Sequence, residues 1–377
     1  MGCRFVNSTV LLVSTSYPSS PSDWRGVFIR HLVKALSLRQ DLRLKVWCPP
    51  GAVPPSVELV ASQQDATWLS ALMRSGGIAH QMRKGGLRGK LRVIDLLRRL
   101  RRGYRGSPNV DVRHVNWLQN ALPLQRDSVP LLVTVLGTDM RLLKLPGMAT
   151  LLRRVFRQRK TVIAPNAEWM VPELTRRFGM VADVQYVPFG IDGAWYGLER
   201  SRVVGGSWLC VSRLTRAKLG KLLEWWAPLA TQVDGPRLTL IGPMQEQIDL
   251  PAWVEYVGPA SSDQLMKGWF PNATGLVTLS EHSEGRPQVM LEAMAAGLPI
   301  IASAIPAHVD LLRHLDTGWL CHDAQGLSDG LAALSEPETN RMMGESARRW
   351  VREHVGTWND CAGRYAHLYR RLLEESA

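Results

Sequence analysis

Short apolar runs alternate with stretches of helical period along most of the chain. Val10–Ser14 predicts a first strand, a Pro- and Ser-rich loop follows over 16–25, and Gly26 opens a helix to about Leu38 with Phe28, Leu32 and Leu36 on one face. Leu42–Trp47 predicts a second strand, stopped by Pro49-Pro50-Gly51. Further strands are predicted at Asp111–Val115, Leu131–Leu136, Thr161–Ala164 and Val184–Val187, with helices over Trp68–Met73 and Glu168–Phe178. From Gly190 to Gly206 the pattern is irregular and glycine-rich, which reads as an inter-domain linker. A second series then begins. Its strands are predicted at Ser207–Val211, Arg237–Ile241, Trp253–Val257, Gly275–Leu279 and Pro299–Ala302, and its helices at Lys218–Leu229, Ser262–Phe270 and Pro287–Ala296. Trp358–Glu375 predicts a long last helix. The alternation in both halves implies an α/β chain of two Rossmann-like, doubly wound parallel-sheet domains with a cleft between them.

Charge changes this picture in one place. The 377 residues carry 46 Lys and Arg against 33 Asp and Glu, a net charge of +13, which draws anionic partners. The excess concentrates in 83–105, where Arg83, Lys84, Arg88, Lys90, Arg92, Arg98, Arg99, Arg101, Arg102 and Arg105 face only Asp95. Leu87, Leu91, Ile94 and Leu97 recur there at helical spacing and predict the buried face. Three readings of this run compete: a solvated helical face, a patch for an anionic membrane surface, and a nucleic-acid contact. The last is disfavoured, because a single-strand platform needs interleaved aromatics and the run holds only Tyr104.

Composition excludes several other classes. No apolar run reaches the roughly 18–20 residues that span a bilayer. The apolar patch Val10–Val13 is too short for a secretory leader. Met1-Gly2-Cys3 has the look of an acylation start. The five cysteines are scattered without a CxxC pair, so neither a disulfide framework nor a zinc site is indicated, and a reducing cytoplasm fits.

Two stretches carry candidate chemistry. In 280–301, SEHSEGRPQVMLEAMAAGLPII, Glu284 precedes a helix that Pro287 opens, and Glu292 lies about two turns inside it. The amides of Gln288 and Val289 at that N-terminus are suited to an anion, and a carboxylate at 284 to vicinal sugar hydroxyls. A capped surface helix with two solvated glutamates is the plainer alternative. The second stretch, SRLTRAK over 212–218, follows a predicted strand. Arg213 and Lys218 there are placed for a diphosphate at the strand's C-terminal end, or form a solvated basic loop.

With LTLIG at 238–242 and VEYVG at 254–258, these stretches resemble the GT-B-fold glycosyltransferases of family 4, a retaining group. VTVLGTDMRLL at 133–143 and VPFGID at 187–192 agree more weakly, and the resemblance covers nearly all of the chain except about 52–105. It implies an N-terminal acceptor-side domain over 1–189, a donor domain over 190–357, and a last helix, 358–377, that crosses back onto the first. It implies that Arg213 and Lys218 neutralise the diphosphate of a UDP- or GDP-linked sugar. Glu284 binds the transferred sugar with backbone amides near Arg286 and Pro287, Glu292 binds the ribose, and Gly26 lets the first loop approach the phosphate. The acceptor implied is lipid-linked or a polysaccharide, at the inner face of the cytoplasmic membrane.

One position departs from that pattern. Many relatives carry a histidine where Leu136 stands, so Asp139 is either a substitute polar contact to the substrate or the cap of the next helix. Neither Asp-x-Asp nor HExxH spacing occurs, which predicts cationic side chains in place of a metal and no cofactor beyond the donor. Two other functions compete with transfer: a sugar-nucleotide epimerase or hydrolase on the same fold, and a non-catalytic basic protein that binds membrane or nucleic acid.

Overall fold

The computed structural model of the chain describes residues 7–20, 23–78, 86–201, 205–282 and 284–374, with Leu87 and Arg88 described by backbone alone. Met1–Cys3, Arg83, Lys84 and Glu375 therefore lie outside the described residues, as do the side chains of Leu87 and Arg88. The chain divides into two compact units. One is 1–189 together with 358–377, the other 190–357.

The first unit is built on a parallel sheet of order β3-β2-β1-β4-β5-β6-β7. Its strands are β1 (Ser8–Val13), β2 (Leu42–Trp47), β3 (Glu58–Leu59), β4 (Val112–Asn116), β5 (Leu131–Val135), β6 (Thr161–Pro165) and β7 (Asp183–Val184). Successive strands run leftward from β1 to β3 and then rightward from β4, so the order switches between β1 and β4, where Val10 sits beside both Leu44 and Val112. Both faces of the central strands are covered, which is why they read as unbroken apolar runs. On one face Val10, Leu12, Val46, Val112 and Leu132 meet the helices Val27–Ser37 and Trp358–Glu374. On the other, Leu11, Val13, Val115, Val133 and Ile163 meet Gly86–Arg105, Met148–Phe156 and Val171–Phe178.

The helix Gly86–Arg105 corrects the expected apolar face. Leu96, Leu100 and Tyr104, four apart, are the side chains buried against the sheet, whereas Leu91 is 55% and Ile94 44% exposed. The helix carries two apolar stripes, and the choice between them is made by the fit of the Tyr104 end, whose hydroxyl donates to Asn120 O at 2.7 Å. Arg99 also leaves the basic face: it pairs with Asp65 at 2.8 Å and lies over the Trp68 ring.

The second unit has a six-stranded parallel sheet of order β10-β9-β8-β11-β12-β13. Its strands are β8 (Trp208–Val211), β9 (Leu238–Ile241), β10 (Val254–Gly258), β11 (Gly275–Thr278), β12 (Ile300–Ser303) and β13 (Trp319–Cys321). Leu209, Ile241, Leu276 and Ile300 face the helix Gln288–Ala295, and Cys210, Leu240, Val277 and Ile301 face Leu222–Ala230 and Ala324–Ser335. Two expectations change here. The stretch from Gly190 is part of this unit's core rather than a free linker: Trp195 is fully buried, its ring 5.0 Å from Phe270. The helix expected over 218–229 is two, Arg216–Leu219 and Leu222–Ala230. They part at Gly220, whose φ of 53° and the approach of Leu279 O, 2.0 Å from where a Cβ would stand, require glycine.

Among the described residues no helix is long and apolar enough to cross a membrane.

Candidate functional site

In a parallel sheet flanked by helices, every strand points its C-terminal end to the same edge, and loops from neighbouring strands converge there. In the second unit that edge gathers the loops after β8, β9, β11 and β12. The first is fixed to its neighbour by Leu214 N, which donates to Pro243 O at 2.9 Å. Thr215 then caps the short helix Arg216–Leu219 by accepting from Lys218 N at 3.2 Å, which sets the Lys218 backbone. The loop after β11 is tied to the first by Glu281 N to Ala217 O at 2.9 Å. Lys218 is thus held beside Glu284, with Arg213 earlier in the same loop, and both cations are part-exposed.

Lys218 and Glu284 form an ion pair, with side chains 14% and 13% exposed. Ser280 Oγ lies 3.3 Å from Glu284 Oε1. Burial works against the Glu284 charge, yet Lys218 above all holds its pKa below the ordinary glutamate value.

Beyond Glu284 the chain enters the helix Gln288–Ala295. Pro287 stands at its N-cap with φ −66° and ψ 116°, so the helix starts one residue later than expected. No side chain caps this end and no acidic residue occupies its first turn. The amides of Gln288 and Val289 precede the first bond of the helix, Met290 N to Pro287 O at 3.2 Å, so they remain for a ligand. The Arg286 side chain does not share that role. It is buried and pairs with Asp310 at 2.8 Å, fastening the loop to the helix Pro306–Val309 that follows β12.

Glu292 is on the same helix face as Gln288, one turn on. Gln288 Nε2 donates to Gly190 O at 3.0 Å, which joins the helix to the start of the unit. Burial, and next the carboxylate of Asp192, push the Glu292 pKa up to about 8. A carboxyl raised in this way is ready for hydroxyl partners.

The sequence did not single out His308 or Asp310. His308 is fully buried, its Nδ1 2.8 Å from Ser303 O, so that nitrogen carries the proton. Its Nε2 has no hydrogen-bond partner. Ser303 Oγ donates to Ser280 O at 2.9 Å, linking the imidazole through Ser303 and Ser280 to Glu284. No motif marks these residues, and Asp310 meets its partner Arg286 from 24 residues along the chain.

Gly26 and Asp139 belong to the first unit. Gly26 has φ 70° and caps the helix Val27–Ser37. A Cβ there would stand 2.6 Å from Ser16 Oγ. Asp139 corrects the substrate-contact expectation. It is buried, its carboxylate accepts from Leu136 N at 2.8 Å and Leu118 N at 2.9 Å, and both oxygens are spent inside the fold. It caps the helix Gly137–Leu142 and fastens the turn after β4.

Among the described residues no group of three or more His, Cys, Asp and Glu converges in a way that could hold a metal.

Residues 206–336, which carry all the site groups of the second unit, match the family model described as "Glycosyl transferases group 1". The chain is 25% identical over 300 residues to N-acetyl-alpha-D-glucosaminyl L-malate synthase of Bacillus anthracis, covering 71% of this chain and 76% of that protein. It is 32% identical over 149 residues to the amylovoran biosynthesis glycosyltransferase AmsK of Erwinia amylovora, covering 35% of this chain and 36% of that one. In fold it is similar to a sucrose-phosphate synthase from Thermosynechococcus elongatus, with a TM-score of 0.72 at 16% identity over 98% of this chain and 100% of the other. It is similar also to the Anabaena protein HepE in complex with UDP-glucose, with a TM-score of 0.64 at 14% identity over 96% and 99%. The chain is therefore a glycosyltransferase of the GT-B fold whose residues 206–336 form a glycosyl transferases group 1 domain.

Proposed function

We propose that the protein is a retaining transferase that moves a sugar from a UDP- or GDP-linked donor to a lipid-linked or polysaccharide acceptor at a membrane surface. The observation that carries this reading is the gathering of Arg213, Lys218, Glu284 and the uncapped helix Gln288–Ala295 at one sheet edge. Arg213 and Lys218 neutralise the diphosphate, where charge develops as the bond from the anomeric carbon to the phosphate oxygen breaks. Glu284 and the amides of Gln288 and Val289 hold the sugar, and Glu292 the ribose. The acceptor oxygen bonds to the same face of the anomeric carbon, and its proton passes to the departing phosphate oxygen. The two cations do the work that a divalent ion does elsewhere, so activity persists in EDTA.

Relatives favour a uridine donor. HepE is described in complex with UDP-glucose, and the pneumococcal transferase GtfA in complex with UDP and GlcNAc. The acceptor falls to the first unit. Its helix Gly86–Arg105 turns Lys90, Arg92, Arg98, Arg101, Arg102 and Arg105 outward around Leu91 and Ile94. That face suits an anionic bilayer, which gives about 1 kcal/mol per basic residue near its surface, and it supports a location at the inner face of the cytoplasmic membrane.

The test is a thermal-shift panel of UDP-, GDP- and ADP-sugars, followed by product analysis. A donor at 100 times its dissociation constant adds about 2.7 kcal/mol of stability. Glu284→Gln and Arg213→Ala should each lower transfer by roughly a hundredfold or more while the chain stays folded. Full activity in either variant, or epimerised sugar without acceptor, sinks this reading.

A further inference from the structure

Glu284 and Lys218 are assigned above to different parts of the donor, the sugar and the diphosphate, yet here they are bonded to each other. We propose that this ion pair is a lock that a complete nucleotide sugar opens and a bare nucleoside diphosphate does not. Glu284 thereby sets the discrimination between donor and spent by-product. The inference rests on the donor reading of this edge and names how that site is regulated.

The argument concerns what replaces each partner. A diphosphate that draws Lys218 away compensates the ammonium fully. It leaves Glu284, mostly shielded from water, without its cation, and breaking one side of such a pair is costly. Three of its neighbours cannot make good the loss. Arg286 is committed to Asp310 in a buried pair at 2.8 Å. His308 donates its one proton to Ser303 O and, because burial lowers its pKa, stays neutral. Ser280 Oγ, 3.3 Å from Glu284 Oε1, supplies one neutral contact that is there already. The hydroxyls of the transferred sugar are what a nucleotide sugar brings and a nucleoside diphosphate lacks, and as donors they suit a carboxylate. The complete donor thus exchanges both partners at once. After transfer the sugar has left, Glu284 recaptures Lys218, and the diphosphate is expelled.

Isothermal titration of UDP, UDP-glucose, GDP and GDP-mannose tests this with the full chain. The wild type should bind the sugar nucleotide more tightly than its diphosphate. Glu284→Gln removes the competitor for Lys218 and should bind the diphosphate roughly tenfold more tightly than the wild type, a gain within the coupling measured for close charge pairs. The gain should vanish when Lys218→Gln is added, because the lock needs both partners. Glu284→Asp withdraws the carboxylate by one methylene and should shift diphosphate binding the same way by a smaller factor, which keeps the test open if the glutamine variant fails to fold. Diphosphate binding unchanged or weakened in folded Glu284→Gln overturns the lock, as does a gain that survives Lys218→Gln. If the wild type itself binds none of the four nucleotides, the donor reading falls and the lock with it.

Discussion

Two buried titratable residues of the first unit pull its acid stability in opposite directions. His114 is enclosed between Tyr369 Oη at 2.6 Å and Thr134 Oγ1 at 2.7 Å, and burial lowers its pKa to about 3. Between that value and the unfolded value near 6.5 the unfolded chain binds the extra proton, so stability rises with pH. Asp139 is the reverse case. Burial, opposed by its two backbone N–H donors, raises its pKa to about 7, so from about 4 to 7 the folded chain binds the extra proton and stability falls with pH. The two slopes cancel over about pH 4 to 6.5. Asp139→Asn removes one of them and should make unfolding free energy climb with pH by about 1.4 kcal/mol per unit more than in the wild type. Urea unfolding at stepped pH measures it, and parallel curves would show that Asp139 is not titrating as its burial requires. The same residue marks the limit of what a sequence shows about a site. Glu284, Glu292, Arg213 and Lys218 are legible because their context is local: a strand end, a glycine-proline turn, a helix start. Whether Asp139 faced a substrate or the backbone depended on Leu118 N, brought close by a turn 21 residues back.

At the scale of elements, the strands were the legible part. Consecutive apolar runs in β1, β5 and β6 follow directly from burial on both faces. Helix faces were not always legible, and Gly86–Arg105 shows why. A helix with leucines on two stripes satisfies the periodicity twice, and only the sheet beneath it selects Leu96, Leu100 and Tyr104. The stripe left outside then becomes informative. Leu91 and Ile94, among outward-facing arginines, have the composition of a surface that lies on a bilayer. Glutamate at both positions should weaken sedimentation with phosphatidylglycerol-containing vesicles by roughly tenfold or more, through lost apolar insertion and added negative charge. Since neither side chain joins the core, melting should change little. Leu96→Ala should do the opposite, costing roughly 2–5 kcal/mol of stability while the outer face keeps its charge. Vesicle binding that is indifferent to residues 91 and 94 would leave this helix as a solvated basic face.

For the whole molecule, chain order and structural order differ. The chain leaves the first unit at Phe189 and re-enters it at Trp358, so that unit is finished by the last residues of the sequence. The returning helix Trp358–Glu374 buries Trp358, Cys361, Tyr365, Tyr369 and Leu372 against the sheet, and Arg364 donates to Pro188 O at 3.2 Å. Its polar registration comes from the His114 network, in which Thr134 also meets Tyr365 Oη at 2.9 Å. An amphipathic pattern predicts the helix but not its destination, because the deciding contact joins residues 255 apart in sequence. Tyr369→Phe tests that contact with the ring kept. It leaves His114 Nδ1 buried without a partner, which costs about 1–3 kcal/mol. The loss belongs to one unit, since every group in the network lies in the first. Hydrogen exchange should therefore quicken in β4, β5 and the last helix, while amides of β8, β9, β11 and β12 keep their wild-type protection. Equal loss in both units would mean that the chain opens as one cooperative body, and no loss in either would mean that apolar burial alone, without the imidazole, docks the helix.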